Sequence, residues 1–180
     1  MNKENTEKLF NDFPEFFNSR NEGLMASLMS FGFECHDGWF DLIYNLCSDI
    51  KDWYMNNESR HYDENYENYE VKKGIQPHFQ VQQVKEKFGT LRFYIGFAPK
   101  AIHDLIRKAE NDSYFICERC GDDVRTHEFD GYHSYYRDDL GWVQTLCDKC
   151  LKKEIERVGL VDDDYVSDWQ KKHNAPFVRG

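Results

Sequence analysis

Four thiols at two fixed intervals carry the clearest chemistry in this 180-residue chain: Cys117 and Cys120 in CERC, and Cys147 and Cys150 in CDKC. A C-x-x-C step lets one tight turn aim two thiolates at a single point. Two such turns complete the tetrahedral four-sulfur shell that zinc takes, with Zn–S of about 2.3 Å. Gly121 follows the first pair and supplies the left-handed backbone that such a turn commonly needs. The spacing predicts one structural zinc ion as cofactor, sealed by four sulfurs with no position left for a reacting water. Iron suits four thiolates as well. The gap between the pairs is 26 residues, longer than the roughly 15–20 of a compact site, so a hairpin with an extended loop is expected there. His127 and His133 fall in that loop and read as surface residues, since the four thiols already fill the shell.

The other reactive side chains form no constellation. Cys35–His36 has no ordered third group, and adjacent residues seldom point together. Cys47 falls on an apolar helix face and reads as core. No phosphate loop, dinucleotide loop or H-E-x-x-H is present. The acid pairs Asp122–Asp123, Asp138–Asp139 and Asp162–Asp164 lack the order of a calcium loop and read as solvated. The chain is expected not to be an enzyme.

The net charge is −10, and it is unevenly spread. Residues 1–70 hold 5 basic and 15 acidic side chains, residues 71–112 hold 8 and 4, and residues 113–180 hold 10 and 14. The acidic field opposes polyanions and attracts basic surfaces. Within the acidic part, residues 56–70 (NNESRHYDENYENYE) interleave tyrosines with acids and lose all apolar periodicity, so they read as an acidic, aromatic loop or mobile segment. Glu58, Tyr62, Asp63, Glu64, Tyr66, Glu67, Tyr69 and Glu70 are the candidate partner-binding residues, because tyrosines add contact area at modest entropic cost. The basic middle (Lys85, Lys87, Arg92, Lys100, Arg107 and Lys108), with Phe88, Phe93 and Tyr94 nearby, is the one candidate for a nucleic-acid patch. Its acidic flanks argue against direct DNA or RNA binding. No run of 18 apolar residues exists, so no membrane helix is expected. Six cysteines and a start (MNKENTEKLF) without an apolar signal stretch point to the cytoplasm.

The elements that position these residues read as α+β: a β-hairpin or small antiparallel sheet packed by amphipathic helices, with a C-terminal zinc ribbon. Residues 4–18 suggest short helical turns broken at Pro14, and 22–31 a weaker helix. Gly32 to Gly38 form a turn-rich joint, with Asp37 as the expected cap of the next helix. That helix is the clearest, with Trp39, Leu42, Ile43, Leu46, Ile50 and Trp53 on one face. Alternation through Phe79 and Val81, then Leu91, Phe93 and Ile95, predicts a hairpin turning near Lys87–Gly89. Pro99 suits the first turn of a helix whose apolar stripe is Ile102, Leu105, Ile106 and Ala109. The expected organisation is an acidic α+β domain over 1–112 with a mobile acidic segment at 56–76, a zinc ribbon and following helix over 113–158, and an acidic tail over 159–180.

The phrases GFECHDGWFDLI (32–43), VKEKFGTLRFYI (84–95), CERCG (117–121) and WVQTLCDKC (142–150) resemble a family of small phage and prophage proteins. That family joins an amphipathic G-W-F/Y helix, a V-K-E-K-F-G-x-L-R-F-Y hairpin and a zinc ribbon. The resemblance covers about residues 10–155 and implies the hairpin and the four cysteine ligands. The chain departs from the family pattern in residues 56–70 and in its long ribbon loop. In its acidity and metal site it also resembles the phage anti-CRISPR metalloproteins. The expectation that follows is a phage-encoded, non-enzymatic inhibitor of a basic host defence protein, a Cas9-type nuclease, acting in the bacterial cytoplasm. Rival expectations are an adaptor that docks on host transcription machinery and a nucleic-acid-binding ribbon.

Overall fold

The computed structural model describes residues 1–23, 25, 27–76, 78–126, 134–137 and 142–157. His127, His133, the acid pairs at 138–139 and 162–164, and the tail expected at 159–180 lie outside the described residues. Among those described, the chain is α+β, with five α-helices and three two-stranded antiparallel sheets.

Helix α1 (Lys3–Asp12) starts where the Asn2 side chain accepts from the Asn5 amide at 2.8 Å. Pro14 lacks the amide that would extend it and instead opens α2 (Pro14–Phe17). The aromatic anchors of this region are buried: Phe13, Phe16 and Phe17 lie in the core, and Phe16 meets Phe79 edge-on at 5.0 Å. Of the helix expected over 22–31, the described residues give a 3-10 turn, Leu28–Phe31, opened by the Ser27 hydroxyl accepting from the Met29 amide.

Helix α3 (Phe40–Asn56) is the strong helix of the sequence pattern. Its buried stripe runs through Ile43, Leu46, Cys47, Ile50 and Tyr54, with Trp39 fully buried just ahead. Leu42 and Trp53 flank this stripe, half-buried. Asp37 does not cap α3. Its carboxylate accepts from the Asn2 amide (2.7 Å) and the Asn5 side chain (3.1 Å), tying the joint to α1.

Strands β1 (Ser59–Tyr62) and β2 (Tyr69–Lys72) pair antiparallel where the sequence reads as loop. Apolar periodicity misses them because the buried residues of β1 are polar, Ser59 and His61. Turn chemistry holds the hairpin instead. The Asp63 carboxylate accepts from the amides of Asn65, Glu67 and Asn68, and Tyr66 takes φ +58°.

The expected central hairpin forms from β3 (Val81–Lys87) and β4 (Thr90–Ile95). Phe88 and Gly89 make the two-residue turn with φ +55° and +76°, the handedness that matches strand twist. A bulge between Val81 and Gln83 turns both Val81 and Val84 inward. Glu34 adds a single parallel bridge to β3. Helix α4 (Lys100–Asp112) follows Pro99 and buries Ile102, Ile106 and Ala109 against α3 and β4. One aromatic-rich cluster joins these elements.

The C-terminal part contains β5 (Ser134–Arg137), paired antiparallel with β6 (Trp142–Thr145), and α5 (Asp148–Arg157). Its small apolar cluster is Cys117, Leu146, Cys147 and Leu151, with Cys150 packed against it. No described helix is long and apolar enough to cross a membrane.

Candidate metal centre and neighbouring surfaces

The first cysteine pair sits in a turn closed at its base. The Cys117 amide donates to the Asp122 carbonyl and the Gly121 amide to the Cys117 carbonyl, both at 2.8 Å, and Gly121 takes φ +78°. The second pair is built differently from a ribbon, in which both pairs top hairpins. Cys147 follows β6, and Cys150 lies in the first turn of α5, where the Leu151 amide donates to the Cys147 carbonyl at 2.9 Å. All four Sγ atoms lie within 4.8 Å of one another, and Cys120 and Cys147 are 3.6 Å apart. A tetrahedron of sulfurs about 2.3 Å from a centre has edges of about 3.8 Å. The four thiols therefore fit a single metal ion.

The thiols differ in their surroundings. Cys117 and Cys147 are buried, Cys150 is half-buried and Cys120 is exposed. Burial pushes the Cys117 thiol far up and that of Cys150 up to about 11. Burial also raises Cys120, but the Asp122 amide and the neighbouring thiols outweigh it and bring that group below its ordinary value. Loading an ion displaces these protons, so binding tightens with pH.

The turn is seated on the main core through residues that carry no obvious chemistry in the sequence. The Gly38 amide donates to the Glu118 carbonyl (2.8 Å), the His36 amide to Glu118 Oε1 (3.0 Å) and Trp39 Nε1 to the Ile116 carbonyl (2.9 Å). A Cβ on Gly38 would lie 2.2 Å from the Cys117 carbonyl oxygen, so only glycine permits this approach. Glu118, between the two cysteines, is 1% exposed, and burial pushes its carboxyl up to about 7. From the other side, the Glu118 amide donates to the Thr145 carbonyl (2.8 Å), and the Thr145 hydroxyl donates to the Gly89 carbonyl at the β3–β4 turn (2.5 Å). The signal for this seam was the G-W dipeptide ahead of α3 and the T-L-C of the second pair. Neither names its partner without the fold.

Cys35 is buried with its thiol pushed up to about 12 by desolvation, which opposes thiolate formation. The candidate partner-binding residues gather on the β1–β2 hairpin and its flanks. Tyr62 is the hub, with ring centroids 5.9 Å from Tyr66, 5.6 Å from Tyr69 and 6.0 Å from Phe97. Tyr66, Tyr69 and Phe97 are 55%, 52% and 67% exposed. Among the acids, Asp63 is used in the turn and Glu70 pairs with Lys72. Glu58, Glu64 and Glu67 are exposed and form no ion pair among the described residues. Sequence reasoning missed Phe97 because it lies beyond β4, 35 residues from Tyr62.

The basic middle divides in two. On α4, Lys100 and Arg107 pair with Asp104 and Lys108 pairs with Asp112. Lys85, Lys87 and Arg92 stand on the hairpin away from these acids, while Phe93 is buried. Comparison with protein-family models, with curated proteins and with solved structures finds no match to the chain.

Proposed function

We propose that this chain is a non-catalytic, zinc-stapled binding protein that acts in the cytoplasm on a basic protein surface, a Cas9-type nuclease being the candidate target. The observation that carries the reading is the Tyr62 cluster. Three aromatic rings more than half exposed meet around one hub on a hairpin that also carries the free acids Glu58, Glu64 and Glu67. Exposed aromatics in contact with each other are unusual outside interaction surfaces, and tyrosine is a frequent anchor of binding energy. The acids select for a cationic partner and speed its approach. Nucleases that hold nucleic acid in positively charged channels present such surfaces. Zinc is favoured over other ions because a sealed shell of four thiolates is its ordinary structural site.

The test is co-purification with a guide-loaded Cas9-type nuclease, together with a DNA cleavage assay. Co-elution at low salt and protection of the DNA are expected, both lost in Tyr62→Ala/Tyr66→Ala and weakened in Glu58→Gln/Glu64→Gln/Glu67→Gln. Absence of co-elution and of protection overturns the choice of target. Retention of binding in the tyrosine variant overturns the choice of surface.

A further inference from the structure

The outer face of the β3–β4 hairpin carries a second surface of opposite character. Cross-strand pairing sets Gln83 opposite Tyr94, Lys85 opposite Arg92 and Lys87 opposite Thr90, while Val84, Leu91 and Phe93 turn to the core. Two cations directly opposite on one face destabilise a hairpin. Their compensation is partial: Arg92 feels the half-buried Glu86 carboxylate, but Lys85, Lys87 and Arg92 form no salt bridge among the described residues. Glu34, the neighbouring carboxylate, accepts from the Gln83 side chain at 2.6 Å. Arg92 donates to the Thr90 hydroxyl and the Leu91 carbonyl, both neutral.

Aromatic rings stand among these cations. Lys85 lies 5.7 Å from the centroid of Tyr94, and Lys87 lies 5.5 Å from that of Phe88. Phe88 is 73% exposed and sits at φ +55°. A bulky residue in the left-handed region at the tip of a hairpin is strained where asparagine or glycine would be relaxed. The exposed ring thus stands where folding alone favours a different residue, the kind of position that clusters at functional sites. Beside this face lies an open groove of about 390 Å³ lined by Met25, Leu28, Gln82, Gln83, Lys85 and Tyr94.

We propose that this face binds single-stranded nucleic acid, with Phe88 and Tyr94 stacking bases and Lys85, Lys87 and Arg92 contacting phosphates. Interleaved rings and cations are the ordinary means of holding a single strand without reading its sequence. The side-chain amide of Gln82 at the groove adds hydrogen-bonding capacity toward base edges. A duplex keeps its bases stacked inside and leaves the rings idle. An acidic polypeptide satisfies the cations but gives Phe88 no flat partner. The acidic hairpin repels a polyanion, and 0.1 M salt confines that repulsion to about 10 Å.

The probe is a fluorescein-labelled dT20 strand titrated with the full chain and followed by anisotropy at 50 mM salt. Three phosphate contacts give a slope of about −2 in log K against log salt, so affinity falls about tenfold between 50 and 150 mM. Lys85→Glu sets an opposite charge against Arg92, which keeps the hairpin folded, and is expected to weaken binding at least about tenfold. Phe88→Asn is the discriminating variant. It relaxes the turn, so its melting temperature is expected to rise while affinity for dT20 falls. No anisotropy change with dT20 overturns the proposal. So does equal binding of a duplex. Unchanged affinity in Phe88→Asn together with displacement of the strand by poly-glutamate also overturns it, and identifies an acidic-protein surface instead.

Discussion

Replacing Gly38 by alanine tests whether the metal-binding turn is seated on the core as described. The added methyl would lie 2.2 Å from the Cys117 carbonyl oxygen, 2.5 Å from the Gly121 nitrogen and 2.6 Å from the Glu118 carbonyl oxygen. All three are backbone atoms, so no side chain can swing aside. To reach even 3.0 Å the turn must retreat about 0.8 Å from the joint. That movement stretches the hydrogen bonds from the Gly38 amide, the His36 amide and Trp39 Nε1. Each is worth about 0.5–1.5 kcal/mol net, and forcing an extra methyl into packed structure costs about 1–3 kcal/mol. The expected destabilisation is on the order of 3 kcal/mol.

With a urea dependence of about 1–3 kcal/mol per molar, the unfolding midpoint should fall by about 1–3 M, followed by tryptophan fluorescence. Gly96→Ala is the control, because its added methyl meets nothing nearer than Gln82 Nε2 at 3.7 Å. Both variants lose the same glycine freedom in the unfolded chain, so their difference isolates the clash. Because the turn holds two of the four ligands, Gly38→Ala should also bind the metal about tenfold more weakly in competition with a chromophoric chelator, equivalent to about 1.4 kcal/mol. Coincident midpoints for the two variants would mean that the turn does not rest on the joint, and the reasoning fails.

Chelation should expose four cysteines to rapid alkylation, Cys117, Cys120, Cys147 and Cys150, while buried Cys35 and Cys47 stay unmodified until the chain unfolds. Peptide mass spectrometry reads the pattern, and early labelling of Cys35 contradicts it. Purified without added metal, the protein should carry one zinc per chain by elemental analysis, and Cys150→Ser should lose it and render residues 113–157 protease-sensitive. Burial, aided by Lys72 and opposed by Glu70, holds the His61 imidazole below its ordinary value. The unfolded chain therefore binds the extra proton at this site, so the His61 contribution to stability is unaffected above about pH 6.5 and turns unfavourable as pH drops below it. His61→Gln should flatten that part of the stability profile, and an unchanged profile refutes the assignment.

The sequence made the metal site and the apolar skeleton legible for a common reason: both are written as spacings. Two C-x-x-C steps, the three- and four-residue recurrence of α3 and the alternation of β4 each repeat within a few residues. What escaped is written in pairs far apart. Asp37 looks like a helix cap from its position alone, but its partners are Asn2 and Asn5, 35 and 32 residues away. The β1–β2 hairpin escaped because its inward residues are Ser59 and His61, so hydrophobicity carries no trace of the strand. The second cysteine pair reads equally well on a hairpin or on a helix, since the first turn of α5 brings positions 147 and 150 together as a tight turn does. The basic middle had one sign in the sequence and two fates in the fold, ion-paired on α4 and without a salt bridge among the described residues on β3–β4.

The staple's reach is longer than its own small cluster. From the metal-binding turn, one chain of contacts runs through Gly38 and Trp39 into the start of α3. Another runs through Glu118 and Thr145 to Gly89, the residue after Phe88. The β3–β4 turn is thereby held from both sides. The Glu86 carboxylate accepts from the Gly89 amide while the Thr145 hydroxyl donates to its carbonyl. A turn with a strained phenylalanine at its tip needs such over-determination, because left alone it would relax toward an ordinary loop. A metal ion held by the four thiols would therefore support the proposed β3–β4 surface without touching a partner: fixing residues 117–120 and 147–150 would fix Thr145, and through Thr145 the turn that presents Phe88. Removing the ion should therefore weaken binding at the β3–β4 face more than at the Tyr62 cluster, whose hairpin is held by Asp63 and its own turn.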